Sequence, residues 1–225
     1  MSLERKEIIT CPQCNNKSEF VLWDSINVDL DPDMRAKVMN GEVFRWTCPH
    51  CGANVYVPFE TLYHDMKHKF MIMFSPHEPN EEDKYDITDI PNPIGGTSDE
   101  YSFRMVYDPN RLKEKILIFE QELNDVAIEK LKYIMINYVD SSIALDDEEL
   151  FFAGVTEVNE KDKYGRMVFR RLSQKEERNG FFSFPMEKYY EQCLTLKLDN
   201  RFEAKGWTCV DEGRTDTHRR HLPTS

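Results

Sequence analysis

Cys11-Pro12-Gln13-Cys14 and Cys48-Pro49-His50-Cys51 are the stretches whose reading decides the fold of this chain. Each is a C-x2-C knuckle, a turn tight enough for two thiolates to reach one ion, and two knuckles fill a tetrahedral sphere. The four cysteines, Cys11, Cys14, Cys48 and Cys51, therefore read as ligands of one structural Zn2+. The proline stiffens each turn, and backbone amides around it can donate to sulfur and offset the thiolate charge. Four thiolates leave no open coordination position, so the expected role is structural rather than catalytic. Two independent redox pairs are the competing reading, but they lack a thioredoxin-like βαβ context. Iron in the same cage is a third.

Outward from the first knuckle, Ile8-Ile9-Thr10 leads in and Ser18 to Trp23 leads away, a β-hairpin with thiols at its tip. The stretch Asp31 to Gly41 reads as one short helix: Asp31 caps it, Pro32 suits its first position and Gly41 its left-handed stop. Met34 and Val38 give that helix an apolar stripe. Glu42 to Thr47 returns as a strand to the second knuckle and Ala53 to Val57 leaves it, repeating the first half. The inserted helix explains why 33 residues separate the tetrads, more than a compact ribbon needs. Beyond it, Phe59 to Lys69 reads as a helical turn or two and Phe70 to Phe74 as a buried strand.

Residues 76–100 carry Pro76, Pro79, Pro91, Pro93, Gly95 and Gly96 among acids and read as an acidic linker. Tyr101 to Tyr107 alternates like a half-buried strand. Asp108-Pro109 then opens a helix with Leu112, Ile116, Phe119 and Leu123 on one face. Asn124 or Asp125 caps a second, with Ala127, Leu131, Ile134 and Tyr138 in line. Phe151 to Val155, Arg166 to Leu172 and Phe181 to Phe184 read as strands, with a turn at Lys163-Tyr164-Gly165. The fold class is α+β: zinc-ribbon-like hairpins with a short inserted helix over residues 1–75, the linker, a second α+β domain over 101–210, and a frayed tail over 211–225.

At 225 residues and 40% apolar composition the chain can build a real core. Met1 to Thr10 is charged where a secretory signal would be apolar, and no apolar run is long enough to span a bilayer, so no membrane role and a cytoplasmic location are expected. Reducing conditions there favour metal ligands over disulfides. Cys193 and Cys209 show no knuckle spacing and read as ordinary thiols. The formal net charge is −12, which repels phosphate backbones.

The two tetrads, with Trp23-Asp24-Ser25-Ile26-Asn27-Val28 between them and Leu62-Tyr63-His64-Asp65-Met66 after them, resemble the bacterial CpXC domain family over about residues 5 to 130. The resemblance implies a zinc site at the four cysteines and a bacterial origin, and it supplies no reaction.

A second cluster consists of Asp24 and Asn27 with Tyr63, His64, Asp65 and His68. On a helix, His64 and His68 would share a face, a spacing that can hold a metal, and a His beside an Asp can move a proton. No Glu stands in the HExxH position, and neither a nucleophile elbow nor a glycine-rich phosphate loop is present. Turn capping and hydrogen bonds to the hairpins are the simpler roles for these side chains. The leading reading is an interaction module: zinc fixes a rigid surface on which the Trp23 to Asn27 loop (Trp23, Asp24, Asn27) and the Tyr63 to Asp65 segment (Tyr63, His64, Asp65) meet a protein partner. One alternative is a nucleic-acid-binding ribbon using Arg35, Lys37, Arg45, Lys67 and Lys69, which the acidic charge disfavours. The other is an enzyme with Tyr63, His64 and Asp65 at a cleft. The run Arg166 to Arg171, with Phe169, reads as a solvated strand face.

Overall fold

The computed structural model describes residues 2–80, 101–139, 148–158, 164–198 and 206–211. The chain is α+β and divides into two compact units, Met1–Lys113 and Glu114–Ser225. Most of the expected linker, residues 81–100, lies outside the described residues, as do Lys163 of the expected turn and the tail from residue 212.

In the first unit β1 (Leu3–Thr10) and β2 (Lys17–Asn27) form an antiparallel hairpin whose tip is the first knuckle. Helix α1 (Asp33–Met39) follows and buries Met34 and Val38. The turn into it is held by Asn27, whose Oδ1 accepts the amides of Asp29 (3.1 Å) and Leu30 (3.3 Å), and by the Asp31 carbonyl, which accepts from Met34 at 3.0 Å. Gly41 lies just past the helix at φ +75°, the left-handed stop expected there. Glu42–Phe44 then make a 3-10 turn rather than the expected start of a strand, which tucks Val43 and Phe44 inward. The strand proper is β3 (Arg45–Thr47), and it pairs with β4 (Asn54–Tyr56) around the second knuckle.

The stretch expected to turn helically is instead β5 (Thr61–Asp65), followed by a turn and β6 (Phe70–Phe74). Its alternation of buried Thr61, Tyr63 and Asp65 with half-buried Leu62 and His64 is that of a strand covered on one face. β5 pairs parallel to the far end of β2, matching Ile26 with Tyr63 and Asn27 with His64. β7 (Ser102–Val106) joins β6 in parallel. The sheet of this unit thus runs β1-β2-β5-β6-β7. Phe44 anchors its core, with ring centroids 5.1 Å from both Phe59 and Phe74. Helix α2 (Pro109–Glu120) begins where Asp108 accepts the Asn110 amide at 2.7 Å, and it buries Leu112, Ile116 and Phe119 as the apolar spacing requires.

In the second unit α3 (Asp125–Ile134) starts at Asn124, whose side chain accepts the Ala127 amide at 3.0 Å. The strands β8 (Glu149–Val155), β9 (Arg166–Leu172) and β10 (Gly180–Pro185) form an antiparallel sheet with β9 in the middle. Helix α4 (Met186–Leu198) packs on α3, and β11 (Trp207–Thr208) is a short last strand. Phe169 of β9 is fully buried against Phe152 and is no surface aromatic. Of the arginines near it, Arg171 lies over the Phe182 ring at 4.9 Å, and Arg170 is exposed.

Among the described residues of this unit, five ionisable side chains are fully buried: Glu114 and Lys115 of α2 with Asp125, Glu129 and Lys132 of α3. Lys115 Nζ lies 3.0 Å from Glu129 and 3.2 Å from Asp125. Lys132 Nζ lies 2.7 Å from Glu129 and 3.0 Å from Glu114, and donates to the Leu150 carbonyl at 3.1 Å. Glu114 also accepts the Phe152 amide at 2.6 Å. Burial acts to lower the Lys115 pKa, but Glu129, Asp125 and Glu114 outweigh it and hold the ammonium above its ordinary range.

Candidate metal centre

The two knuckles are built alike, down to their backbone hydrogen bonds. In the first, the Asn15 amide donates to the Cys11 carbonyl (2.9 Å) and the Cys11 amide to the Asn16 carbonyl (2.9 Å). In the second, Gly52 donates to Cys48 (2.9 Å) and Cys48 to Ala53 (2.8 Å). Each turn closes through one residue in the left-handed region, Asn15 at φ 56° and Gly52 at φ 74°. Asn and Gly are the residue types that adopt it most cheaply. Each hairpin therefore ends in the same thiol-presenting turn.

Phe44, Trp46 and Phe59 help set the hairpins together: the Trp46 indole donates to the Glu19 carbonyl at 3.2 Å, and Phe20 meets Phe59 edge to face. All four Sγ atoms consequently lie within 4.8 Å of one another. The Cys11–Cys51 pair is 3.6 Å apart and the Cys14–Cys48 pair 3.7 Å. A tetrahedron with zinc–sulfur bonds of about 2.3 Å has sulfur–sulfur edges of about 3.8 Å. The four cysteines could hold a metal ion, and their spacing fits a four-thiolate site.

The electrostatics point the same way. Burial pushes the Cys11 thiol up, but the amides of Cys14 and Gln13 and the neighbouring thiols outweigh it and bring it down to about 7. At Cys51 the Ala53 amide lowers the pKa, while burial and the other three sulfurs raise it to about 12. Four sulfurs this close cannot all ionise unaided, because each thiolate opposes the next, and a divalent cation at the centre removes that opposition. Asn16 Nδ2 donates to Cys14 at 3.6 Å, an outer contact of the kind that orients metal ligands. Cys11 and Cys48 are buried, Cys14 is half-buried and Cys51 exposed, so the centre lies at a surface.

The second cluster is not one convergent site. Tyr63 is fully buried, stacked on Phe70 at 5.9 Å, and Asp65 is buried on the same face of β5, where it accepts the His68 amide at 2.8 Å and sits 2.7 Å from His68 Nδ1. His64 faces the opposite side. His64 and His68 thus do not share a helix face, since β5 is a strand followed by a turn. His64 Nδ1 lies 3.4 Å from Asn27 Nδ2, and its Nε2 lies 3.4 Å from the Tyr101 hydroxyl. Because Asn27 Oδ1 already accepts two amides, its NH2 faces the ring and favours an unprotonated Nδ1. Burial lowers the His64 pKa, with Asp29 opposing. Trp23 and Asp24 stand half-exposed on β2, and Asp24 pairs with Arg5 at 2.6 Å. Arg35, Lys37, Arg45, Lys67 and Lys69 are all exposed.

Two contributors to this region carried no signal in the sequence. Tyr101 meets His64 only because β7 completes the sheet. Asp29, a loop acid by pattern, accepts the Met66 amide at 2.6 Å and ties the loop after β2 to the turn after β5.

Fold and site together define an α+β protein carrying a four-cysteine centre that could hold a metal ion. Residues 9–132, more than half of the chain, match the family described as CpXC protein, and the chain belongs to the CpXC family. No curated protein and no solved structure matches it. Among the described residues, no helix is long and apolar enough to cross a membrane.

Proposed function

We propose that this CpXC chain is a structural-zinc protein whose metal clamps two hairpins into a rigid interaction module for a protein partner. The observation that carries the reading is the closed set of four sulfurs within 4.8 Å, which fills a tetrahedral ion and leaves no position for substrate. Zinc suits it because four thiolates at tetrahedral spacing match its preferences and call for no redox change. The reading extends to a bacterial cytoplasm, where thiols stay reduced. Trp23, Asp24 and His64 supply the contacts, since each is only half-buried on the adjacent strands β2 and β5. Asn27, Tyr63 and Asp65 support them from within the sheet.

Metal analysis of the full chain, native and Cys48→Ser, tests the first half: one zinc per native chain is expected and almost none in the variant. A metal-free native chain would end the reading. For the second half, a partner recovered with native protein is expected to be lost with Trp23→Ala or His64→Ala while zinc content is unchanged. Retention of every partner by both folded variants would remove the interaction role.

A further inference from the structure

The four sulfurs of the centre are not equivalent. Cys51 is exposed, Cys14 half-buried, and Cys11 and Cys48 are 0% and 1% exposed. An oxidant arriving from water therefore meets Cys51 first. The sulfur waiting behind it is Cys11, 3.6 Å away and in the other knuckle.

We propose that Cys51 is a peroxide-reactive modification site, and that its oxidation links it to Cys11 across the two knuckles, exchanging the metal clamp for a covalent one. The step rests on the zinc reading above. The Cys51 thiolate attacks one oxygen of hydrogen peroxide and the O–O bond breaks; with one proton taken up, this gives Cys51 sulfenic acid and water. The Cys11 thiolate then attacks the Cys51 sulfur and displaces hydroxide, which a second proton turns into water. In sum, two thiolates, one peroxide and two protons give one disulfide and two waters. Only Cys14 and Cys48 would then remain as thiolates to hold an ion, too few for a four-thiolate site. A bond inside one knuckle, Cys11–Cys14 or Cys48–Cys51, would leave the hairpins unconnected. The Cys11–Cys51 bond keeps β1–β2 tied to β3–β4 after the metal has gone.

The test treats the zinc-loaded full chain with one equivalent of hydrogen peroxide. Released zinc is read with a chromogenic chelator, sulfenic acid is trapped with dimedone, and disulfides are mapped by mass spectrometry without reduction. Expected are dimedone on Cys51, Cys11–Cys51 as the first disulfide, about one zinc released per bond formed, and recovery on adding dithiothreitol with zinc. A first bond within either knuckle, dimedone on another cysteine before Cys51, or zinc retained after the Cys11–Cys51 bond has formed would overturn the proposal. Metal analysis before oxidation keeps the two readings apart: a chain purified without zinc defeats the zinc reading, whereas a zinc-loaded chain with the wrong labelling order or first bond defeats this proposal alone.

Discussion

Replacing Lys132 by methionine removes the ammonium at the centre of the buried ion network in the second unit. Methionine nearly matches the aliphatic stem in volume, so little cavity forms and the loss is electrostatic. The ammonium has three partners, Glu129 at 2.7 Å, Glu114 at 3.0 Å and the Leu150 carbonyl at 3.1 Å. After substitution Glu114 keeps the Phe152 amide and Glu129 keeps Lys115, so neither carboxylate is abandoned altogether. Breaking a buried pair from one side costs about 3–5 kcal/mol, and these remaining contacts put Lys132→Met near 3 kcal/mol. With a urea slope of about 2 kcal/mol/M, the unfolding midpoint falls by about 1.5 M. Adding Glu129→Gln to Lys132→Met should show a coupling of about 0.5–3 kcal/mol in a double-mutant cycle. The measurement belongs near pH 7. The folded pKa of Lys115 is raised, so its contribution is fully present below about 10.4 and is lost only as pH rises through the higher folded value. A cost below about 1 kcal/mol with no coupling would refute the reasoning, because it would mean that water reaches these groups.

Gly52→Val should weaken metal binding, since Gly52 sits at φ +74° with open space around it and the cost is backbone strain of about 1–2 kcal/mol. Gly52→Asn, copying Asn15, should bind almost as the native chain does in a chelator competition. Gly165→Ala should lower the thermal midpoint, because its Cβ would come 2.6 Å from the Thr156 carbonyl at a position with φ +77°. A penalty of about 1–3 kcal/mol is expected from the strain alone. The folded pKa of His64 is lowered, so the stability it contributes is present above about 6.5 and is lost as pH falls through the lower folded value. His64→Gln should flatten that acid limb in urea titrations between about pH 7 and 5, and an NMR titration of His64 above 6.5 would contradict the assignment.

Several features follow from local chemistry and are legible in the chain itself. A C-x2-C turn imposes its geometry within a few bonds, so the four thiols that could hold a metal ion, Cys11, Cys14, Cys48 and Cys51, can be read from spacing. Helix ends likewise depend on neighbouring residues: Gly41 stops α1, Asn124 caps α3, and Asp108-Pro109 opens α2 as expected. The stretch Phe59 to Lys69 was not decidable in this way. Its alternation and its histidine spacing suit opposite structures, and the parallel partner that makes it a strand, β2, lies more than 30 residues earlier.

The charged core was illegible for a related reason. Glu114 and Lys115 lie beside the apolar stripe of their helix, and nothing next to them in the chain signals burial, because burying a single ion is costly. The arrival of Asp125, Glu129 and Lys132, 10 to 18 residues further along, supplies the counter-charges that make burial tolerable. His64 is the same case: its neighbours Asn27 and Tyr101 are each 37 residues away, so its environment exists only in the folded sheet. The sequence by itself determined the four thiols and the hairpins that carry them, because those depend on bonds within one turn. The tertiary structure alone decided which thiol faces water, which histidine face is covered and which charges are enclosed, because burial and pairing arise between segments that no local pattern connects.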